Sequence, residues 1–456
     1  MRAGNTLPKN RCEVSKDDVF QPWLKERKIE DVEAFVPDMA GAARGKVLAA
    51  DKLGSGVLKM PEAIFGQTIS GVFVTDKRNV EDRDMTLVPD PTTLRPVPWL
   101  TEPTASVFVD CYHNDGSPVE ASPRGVLKST LAKYEARGWT PVVAPEVEFY
   151  LLNAQTNPNE EVIPPEGRLG RTEGARQPYG IDAMNDFDPF IIDLYAHCEA
   201  QGIRIDSLSQ EMGPAQFEIN FLHGNAIDLA DQVFLFKRTV REAAIAHEMH
   251  ATFLAKPMGE EAGSALHVHQ SIVDKDDNNI FSKKNGEPSD LFYSFLGGLQ
   301  TYLPDALLIF APYVNSYRRF LSPWSSPVNL AWAVDNRTVG LRVPDSSPEN
   351  RRIENRLAGS DVNPYLVLAT TLACGFLGMT EGLKPTVPAE GSAYSDESSL
   401  HRNIYVALQA LRGSAAMRGI LGDSFVDLYC AVKDDEYREF QEIVTPYERE
   451  ILLPNV

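Results

Sequence analysis

The segment Pro145-Glu146-Val147-Glu148-Phe149 constrains the fold of this chain more than any other feature. Its polar and apolar residues alternate, and alternate residues of a β-strand point to the same face. Glu146 and Glu148 would therefore share one face of a strand, and Val147 and Phe149 the other. Taken alone, such a carboxylate pair is more often a solvated face than a site. Its meaning depends on whether the chain contains other strands of the same kind.

Three further segments place polar side chains at strand-like spacing. They are Glu211 to Asn220, with carboxylates on both sides of a Gly-Pro turn; Leu266 to Ser271, with two histidines on one face; and Arg352 to Arg356, with Glu354 between two arginines. Carboxylates dominate this set and no cysteine belongs to it, which by ligand hardness favours Mg²⁺ or Mn²⁺ over Zn²⁺ or copper. The nearby arginines favour a phosphate-bearing ligand, because guanidinium groups neutralise the charge of a transferred phosphoryl group.

Composition excludes several classes of function. The 456 residues are 43% hydrophobic and 24% charged, as in ordinary globular proteins. A net charge of −20 argues against nucleic acid or an anionic membrane surface as a partner. The five cysteines have no CxxC spacing, the N-terminus has no apolar signal region, and the longest apolar run, Tyr365 to Met379, is too short to span a bilayer. We therefore expect a cytoplasmic protein.

Capping and turn residues predict an α+β chain. Residues 31–110 are rich in proline and predict short strands and loops, which we interpret as a small N-terminal β domain. Helices are predicted from Ser122-Pro123 to Arg137-Gly138, from Asp188-Pro189 to Gln201-Gly202, from Ile227 to His250, and throughout most of the chain after Asn363-Pro364. Strands are predicted at Pro141–Leu152, Ile203–Leu208, Ala215–Phe221, Ala251–Ala255, Ser264–Val273, Val328–Ala333, Val339–Val343 and Arg351–Leu357.

Six segments, taken in order, resemble the signatures of the glutamine synthetase family. They are PEVEFYLL, EMGPAQFEIN, GSALHVHQSI, NSYRRF, DNRTVGLRVP and RRIENRL, and DVNPYLVLA follows them. The resemblance implies an N-terminal β-grasp domain with an extension, residues 1–118, and a catalytic domain, residues 119–456, whose antiparallel strands form a half-barrel-like site flanked by helices. It also implies a homo-dodecamer of two stacked hexameric rings with active sites between adjacent subunits.

The resemblance assigns ligands for two divalent ions, Mg²⁺ or Mn²⁺. The ion on the glutamate side would be held by Glu148, Glu211 and Glu218, and the ion on the ATP phosphates by Glu146, His267 and Glu354.

The resemblance also implies how ATP and glutamate bind. The matched ATP contacts are His269, Ser271, Arg342 and Arg352; the catalytic arginines are Arg337, on the transferred phosphoryl group, and Arg319; Arg319 and Arg356 grip the glutamate carboxylates beside Gly263. The implied reaction joins glutamate to an amine through γ-glutamyl phosphate, at the expense of ATP.

Two departures from the family concern the amine. Ser325 stands where ammonia-using members carry a glutamate that helps to bind ammonium, and the segment Phe65 to Gly71 lacks a recognisable aspartate latch. Without these acids, a larger amine could bind along apolar and aromatic side chains such as Trp324. We therefore expect an acceptor such as putrescine or spermidine, as in the γ-glutamylpolyamine or γ-glutamylputrescine synthetases that begin polyamine breakdown.

Three alternatives remain open at this point. The chain could be a glutamine synthetase that uses ammonia, a γ-glutamylmonoamine ligase, or a non-catalytic oligomeric paralogue. Ala262 also replaces an asparagine that contacts glutamate in the ammonia enzymes, which weakens the prediction of glutamate as the acid. The segment His247-Glu248-Met249-His250 lacks the spacing of a zinc protease motif and is interpreted as a polar patch at a helix end.

Overall fold

Two β-sheets and a set of helices make up the part of the chain that the structure, a computed structural model, describes. The described residues are 17–74, 82–154, 157, 159–321, 326–394 and 400–456. This architecture confirms the α+β class predicted from the sequence.

The N-terminal sheet follows helix α1 (Asp17–Glu26). Its described strands are β1 (Asp31–Pro37), β2 (Ala43–Ala49), β3 (Leu58–Pro61), β4 (Asp84–Pro89), β5 (Arg95–Pro96) and β6 (Thr104–Tyr112). They run in the order β2-β1-β6-β4-β3, with β5 also on β6, and β1 is parallel to β6. Most residues of β6 are buried, as befits a central strand. The predicted domain boundary at residue 118 falls between β6 and the next helix.

The second sheet is organised around one long central strand, β7 (Trp139–Asn153). The other described strands are β8 (Ile205–Gln210), β9 (Gln216–Phe221), β10 (Gly224–Asn225), β11 (Met249–Thr252), β12 (Leu266–Asp274), β13 (Trp332–Val334), β14 (Leu341–Val343) and β15 (Ile353–Asn355). The order is β13-β14-β15-β12-β7-β9-β8, and β10 and β11 also pair with β7. All of these pairs are antiparallel except β13 with β14.

Helices cover the second sheet and fill the C-terminal part of the chain. They are α2 (Pro123–Glu135), α3 (Ile181–Asn185), α4 (Asp188–Gln201), α5 (Ala226–Ala246), α6 (Asp290–Phe310), α7 (Val314–Arg318), α8 (Pro364–Glu381), α9 (Ile404–Gly413), α10 (Ala415–Leu421) and α11 (Asp423–Gln441). The ring of Phe234 in α5 packs against Phe35 of β1 and Phe108 of β6, so the two sheets share one hydrophobic core. In the described ranges, no helix is both long and apolar enough to cross a membrane.

Several element boundaries confirm the sequence-based predictions. Helix α2 begins at Pro123 after Ser122, although the Ser122 side chain does not cap it. Helix α4 ends at Gln201, where Gly202 adopts the left-handed backbone (φ +69°) that favours glycine. The predicted helical character after Pro364 is also confirmed by α8 to α11.

Two predictions about secondary structure are wrong, and one helix was not predicted. The helix expected to reach His250 ends at Ala246, because Glu248 adopts a left-handed backbone (φ +58°) and the chain enters β11. The strand expected at Val328–Ala333 forms only at Trp332–Val334. Helix α6 was not predicted because its apolar residues surround it on most sides, which hides the helical period. At the end of α5, His247 contacts Asp193 at 2.8 Å, as expected of a polar patch.

Candidate active site

Strand β7 brings the predicted site residues together by cross-strand pairing. Glu146 lies opposite His267 of β12, and Glu148 lies opposite Glu218 of β9. Like charges directly opposite each other destabilise a sheet unless something compensates them. The pairing of Glu148 with Glu218 therefore needs an explanation beyond folding.

Glu148, Glu211 and Glu218, which we call the acid cluster, each offer an oxygen within 4.8 Å of the others. Burial, together with the charges of Glu211 and Glu218, raises the pKa of Glu148 well above its usual value. Burial and the charges of Glu146 and Glu211 raise the pKa of Glu218 from 4.5 to about 8. One buried and two half-buried carboxylates that oppose each other's ionisation are well suited to a hard divalent cation.

Glu146 of β7, His267 and His269 of β12, and Glu354 of β15 form a second set, which we call the paired cluster. Strands β12 and β15 lie on the opposite edge of β7 from β9. Glu146 lies 3.3 Å from Nδ1 of His267 and 3.0 Å from Nε2 of His269. Burial opposes ionisation of Glu146, but these two hydrogen bonds hold its pKa well below the usual range. Glu146 is therefore ionised at neutral pH even without a cation.

Glu354 is the fully buried member of the paired cluster and is compensated by arginines. Nη1 of Arg342 donates to Oε2 of Glu354 at 2.8 Å, and Nη1 of Arg356 donates to Oε1. Burial would raise the pKa of Glu354, but the charge of Arg356 and the histidines lowers it to about 2. In β15, Glu354 pairs with Arg342 of β14 and with His269 of β12, which fixes its position from both sides.

The two histidines differ in whether one ring nitrogen is left without a hydrogen-bond partner. His267 donates from Nδ1 to Glu146, and its Nε2 is buried without a hydrogen-bond partner. Both ring nitrogens of His269 are engaged, since Nε2 faces Glu146 and Nδ1 accepts from Nε of Arg352 at 3.2 Å. Burial lowers the pKa of His267 to about 4, so the ring is neutral at physiological pH, and Nε2 carries a free lone pair. Nδ1 is the ring nitrogen that lies near Glu146 (3.3 Å) and Glu354 (3.9 Å), so it is the atom of His267 placed to meet a cation held by these carboxylates.

The possible metal-ligand atoms converge in sets that match the predicted ligand sets only in part. The three carboxylates predicted for one ion do converge, as the acid cluster. For the second ion, the convergent sets are Glu146 with Glu218 and His267, and Glu146 with His269 and Glu354. Nδ1 of His267 lies 3.9 Å from Glu354, so the predicted triple of Glu146, His267 and Glu354 is also compact. The assignment of each ligand to one ion remains a prediction.

A cavity of about 740 Å³ opens beside the paired cluster. Glu146, His269, Ser271 and Arg352 line it, together with Glu349. This volume is in the range of small-molecule sites. Arg352 at its wall would favour an anionic ligand.

Arg319, Arg356 and Gly263 lie together behind the acid cluster. The guanidinium of Arg319 is buried and donates to the backbone carbonyls of Arg356 (3.0 Å) and Leu357 (2.8 Å). A Cβ on Gly263 would lie 2.7 Å from the carbonyl oxygen of Ala255 and 2.8 Å from Cγ of Arg319, so only glycine fits there. In this conformation both terminal nitrogens of Arg319 donate to backbone carbonyls, so they are not arranged to bind a carboxylate.

Arg337 lies on the exposed loop between β13 and β14. Burial raises the pKa of Glu211, and the charge of Arg337 opposes that rise, so Arg337 faces the acid cluster electrostatically. Trp324 and Ser325, the predicted amine-side residues, lie outside the described residues.

Sequence reasoning gave no role to several residues that hold the site together. Nη2 of Arg342 donates to Asp335 at 2.7 Å, Asn220 donates to Glu218 at 3.2 Å, and Gln216 donates to Glu148 at 3.3 Å. Gln216 and Asn220 alternate with Glu218 along β9, so the strand period alone could have placed them on the same face as that carboxylate. Asp335 carried no such signal, because the loop that places it beside Arg342 has no regular period.

Three comparisons place the chain among known proteins. The family described as glutamine synthetase, catalytic domain, matches residues 120–452. The chain is 34% identical to the γ-glutamylputrescine synthetase PuuA of Escherichia coli, covering 93% of this chain and 92% of that protein. It is 31% identical to the glutamate–isopropylamine ligase of a Pseudomonas species, covering 93% and 95%, and 30% identical to the glutamine synthetase of Methanosarcina mazei, covering 95% and 97%.

A solved structure agrees with these relatives. The structure titled GmaS/ADP complex superposes with a TM-score of 0.81 at 27% identity, covering 95% of this chain and 99% of that one. The matched domain includes every residue of both clusters. This chain therefore belongs to the glutamine synthetase family and is a ligase of that family.

Proposed function

We propose that the protein uses ATP to join glutamate, through γ-glutamyl phosphate, to an amine larger than ammonia, with a polyamine such as putrescine or spermidine as the acceptor. The observation that carries the proposal is the placement of the acid cluster directly beside the paired cluster on one strand. Two convergent carboxylate sets next to a cavity that Arg352 lines suit phosphoryl transfer from a nucleotide to an acid.

The donor set fits two divalent ions. Carboxylate oxygens dominate it, the acid cluster has unbalanced negative charge, and Nδ1 of His267 lies near Glu146 and Glu354. Mg²⁺ or Mn²⁺ bound there would supply positive charge that neutralises the phosphates of ATP. Ligands would come from Glu148, Glu211 and Glu218 on one side and from Glu146, His267 and Glu354 on the other.

The protein's own residues would then orient the reactants. His269, Ser271 and Arg352 line the cavity beside Glu146, where the phosphates of ATP would lie, and Arg342 holds Glu354 in place. Arg337, on its exposed loop, is free to approach the transferred phosphoryl group. Arg356 and Arg319, next to Gly263, would bind the glutamate carboxylates, which requires Arg319 to release a backbone carbonyl.

The reaction balances in two steps. A γ-carboxylate oxygen of glutamate forms a bond to the γ-phosphorus of ATP while the bond to ADP breaks. The amine nitrogen then attacks the γ-carbonyl carbon, phosphate leaves, and the nitrogen loses a proton. The rigid sheet would hold both reacting groups in line, which is the main catalytic contribution that positioning can make.

Two observations support an amine other than ammonia. By the resemblance to the family, Ser325 stands where ammonia-using members carry an acid. The relatives named for putrescine and isopropylamine ligation are 34% and 31% identical over almost the whole chain. Glutamine synthetases match at 30%, so ammonia is the competing acceptor.

An amine panel tests the proposal. Phosphate release from ATP would be measured with glutamate and, in turn, ammonium, a primary monoamine, putrescine and spermidine. We expect the diamine or polyamine to give the highest kcat/KM, and product mass would identify the new amide. Equal or better turnover with ammonium would identify a glutamine synthetase; preference for the monoamine would identify a γ-glutamylmonoamine ligase; no turnover with any amine would favour a non-catalytic paralogue.

We also propose a homo-dodecamer of two hexameric rings in the cytoplasm, with sites between subunits. Mass photometry of the purified protein tests the assembly, with a single species at twelve times the chain mass of 50.5 kDa as the expected result. A stable monomer or dimer would contradict it.

A further inference from the structure

Gln216, the first residue of β9, is 1% exposed and joins three segments of the site. Its Oε1 accepts a hydrogen bond from the backbone N–H of Gly213 at 2.9 Å. Its Nε2 approaches Oε2 of Glu148 at 3.3 Å, the carbonyl oxygen of Gly263 at 3.1 Å and Oγ of Ser264 at 3.3 Å. One amide therefore contacts the central strand, the turn after Glu211 and the segment at Gly263.

The contact with Glu148 selects one oxygen of that carboxylate. Oε2 also accepts the backbone N–H of Ala265 at 2.8 Å. With two donors on Oε2, the remaining oxygen, Oε1, is the one available to a cation. Hydrogen bonds of this kind behind a metal ligand fix its orientation and usually matter to metal affinity.

The other contacts of Gln216 hold the neighbours of Glu148 in register. Gly213, two residues after Glu211, begins a closely packed turn, since a Cβ on it would lie 1.9 Å from the hydroxyl of Tyr150. Gly263 is also confined, because a Cβ there would lie 2.7 Å from the carbonyl oxygen of Ala255 and 2.8 Å from Cγ of Arg319. A change at Gln216 would thus reach two members of the acid cluster and the predicted glutamate side together.

We propose that Gln216 is a positioning residue that aims Oε1 of Glu148 into the acid cluster and ties that cluster to the segment at Gly263. The link to glutamate rests on the proposed function, whereas the effect on cation binding does not. Gln216 touches neither ion nor substrate in this account and acts through Glu148.

Gln201 provides a matched control. It is also a glutamine, is also 1% exposed, and donates from Nε2 to Oγ1 of Thr239 at 2.8 Å and to the carbonyl of His197 at 3.1 Å. It lies in α4, away from both clusters. Replacement of either glutamine by methionine removes a buried amide of the same size, so shared effects on stability can be separated from effects on the site.

The test measures Mn²⁺ binding to the purified full-length protein by electron paramagnetic resonance, without nucleotide. We expect Gln216→Met to weaken the tightest class of Mn²⁺ sites by about 10- to 100-fold. In the active enzyme the KM for glutamate should rise more than the KM for ATP. Gln201→Met should lower thermal stability by a similar amount and leave Mn²⁺ binding within about twofold of wild type.

Gln216→Asn keeps an amide but is too short to reach Glu148, and it serves if the methionine variant does not fold. It should weaken Mn²⁺ binding in the same way. Mn²⁺ affinity unchanged in either folded Gln216 variant, an equal loss in Gln201→Met, or no Mn²⁺ binding by the wild type would overturn the proposal. If the wild type ligates no amine yet its Mn²⁺ affinity depends on Gln216, the proposed function fails and the positioning role stands.

Discussion

The acid cluster and the paired cluster start two residues apart on β7, yet their electrostatics are opposite. Glu146 and Glu354 are hydrogen-bonded to histidines and arginines, and their pKa values are lowered although burial alone would raise them. Glu148 and Glu218 face other carboxylates across β7 and β9, and their pKa values are raised. Each cluster mixes buried and half-buried residues, so the opposite pKa shifts come from the charged and hydrogen-bonding groups around each carboxylate.

The contrast indicates what each cluster needs in order to be charged. The paired cluster is preorganised, because its hydrogen-bond partners are fixed by the sheet: the two histidines lie in β12, Arg342 lies in β14, and Arg356 directly follows β15. The acid cluster is short of positive charge, and in the described part of the chain no salt bridge within 4 Å involves Glu148, Glu211 or Glu218. A divalent cation should therefore stabilise the acid cluster much more than the paired cluster. Neutralising a carboxylate should increase the free energy of unfolding in the acid cluster and decrease it in the paired cluster.

The largest expected effect comes from Glu354→Ala. Turnover of ATP with glutamate and an amine should fall by at least about 1,000-fold, because a ligand position and the anchor of two arginines are lost together. Stability should fall by about 3–5 kcal/mol, since Arg342 and Arg356 are left without their shared buried carboxylate. Steady-state kinetics, chemical denaturation and mass photometry would be measured, with the oligomer expected to persist.

Glu33→Ala is the control for that variant, because Glu33 also accepts from an arginine, Arg238, at 2.8 Å but lies in β1. It should leave turnover close to wild type. Turnover by Glu354→Ala within tenfold of wild type would show that Glu354 is not a metal ligand.

Glu148→Gln tests whether substitutions in the two clusters change the free energy of unfolding in opposite directions. In metal-free protein at pH 8, folding must either bury the Glu148 carboxylate beside other carboxylates or protonate it, and glutamine removes this cost, so the free energy of unfolding should increase by about 1 kcal/mol or more. Glu354→Gln should decrease it under the same conditions. Turnover should drop by about 100-fold in Glu148→Gln, and added Mn²⁺ should stabilise it less than wild type. Denaturant titrations with EDTA and with Mn²⁺ measure both effects; destabilisation of metal-free protein by both variants would contradict the comparison.

The pH dependence of the metal-free protein is a smaller effect. Burial and neighbouring carboxylates raise the pKa of folded Glu218 from 4.5 to about 8. The folded state therefore holds more protons than the unfolded state in this interval, and stability is lost as pH rises from 4.5 towards 8. Glu354, with its pKa lowered to about 2, acts in the opposite direction, and its contribution is lost only below about pH 4.5.

Thermal unfolding midpoints in EDTA, measured between pH 5 and pH 9 for wild type and Glu218→Gln, would check the sign. The midpoint of wild type should decrease relative to that of the variant as pH rises. An unchanged difference between the two proteins across this range would mean that Glu218 is already ionised in the folded protein.

Much of the fold and the composition of the site were predictable from local pattern. The alternation in Pro145–Phe149 predicts a strand with a polar face, and β7 has that form over 15 residues. Glycine after Gln201 and proline after Asn363 mark helix ends correctly, because these residues restrict the backbone locally. The acid cluster also follows from pattern, since antiparallel pairing of two strands with alternating carboxylates brings those carboxylates together.

What could not be predicted depends on register and on loops. No local pattern shows that His269 lies opposite Ala144 rather than Glu146, or that both ring nitrogens of His269 are therefore engaged. The left-handed residue Glu248, which ends α5, is glutamate rather than glycine and gives no signal in the sequence. Asp335, at the start of the loop after β13, reaches Arg342 because β13 pairs with β14, a pairing that no local pattern shows.

That loop also supplies the smallest test of the comparison, Asp335→Asn. Arg342 bridges Glu354, which is fully buried, and Asp335, whose side chain is 59% exposed. Asp335 has a left-handed backbone (φ +51°), which asparagine tolerates, so the substitution removes charge without backbone strain. Exposed ion pairs contribute about 0.2–1 kcal/mol, so the KM for ATP should rise by no more than about fivefold. The rise should shrink at high salt, because exposed charges are screened. If the KM rises more than tenfold and does not depend on salt, the compensation of Glu354 extends to the surface, and the paired cluster is less self-contained than its buried hydrogen bonds indicate.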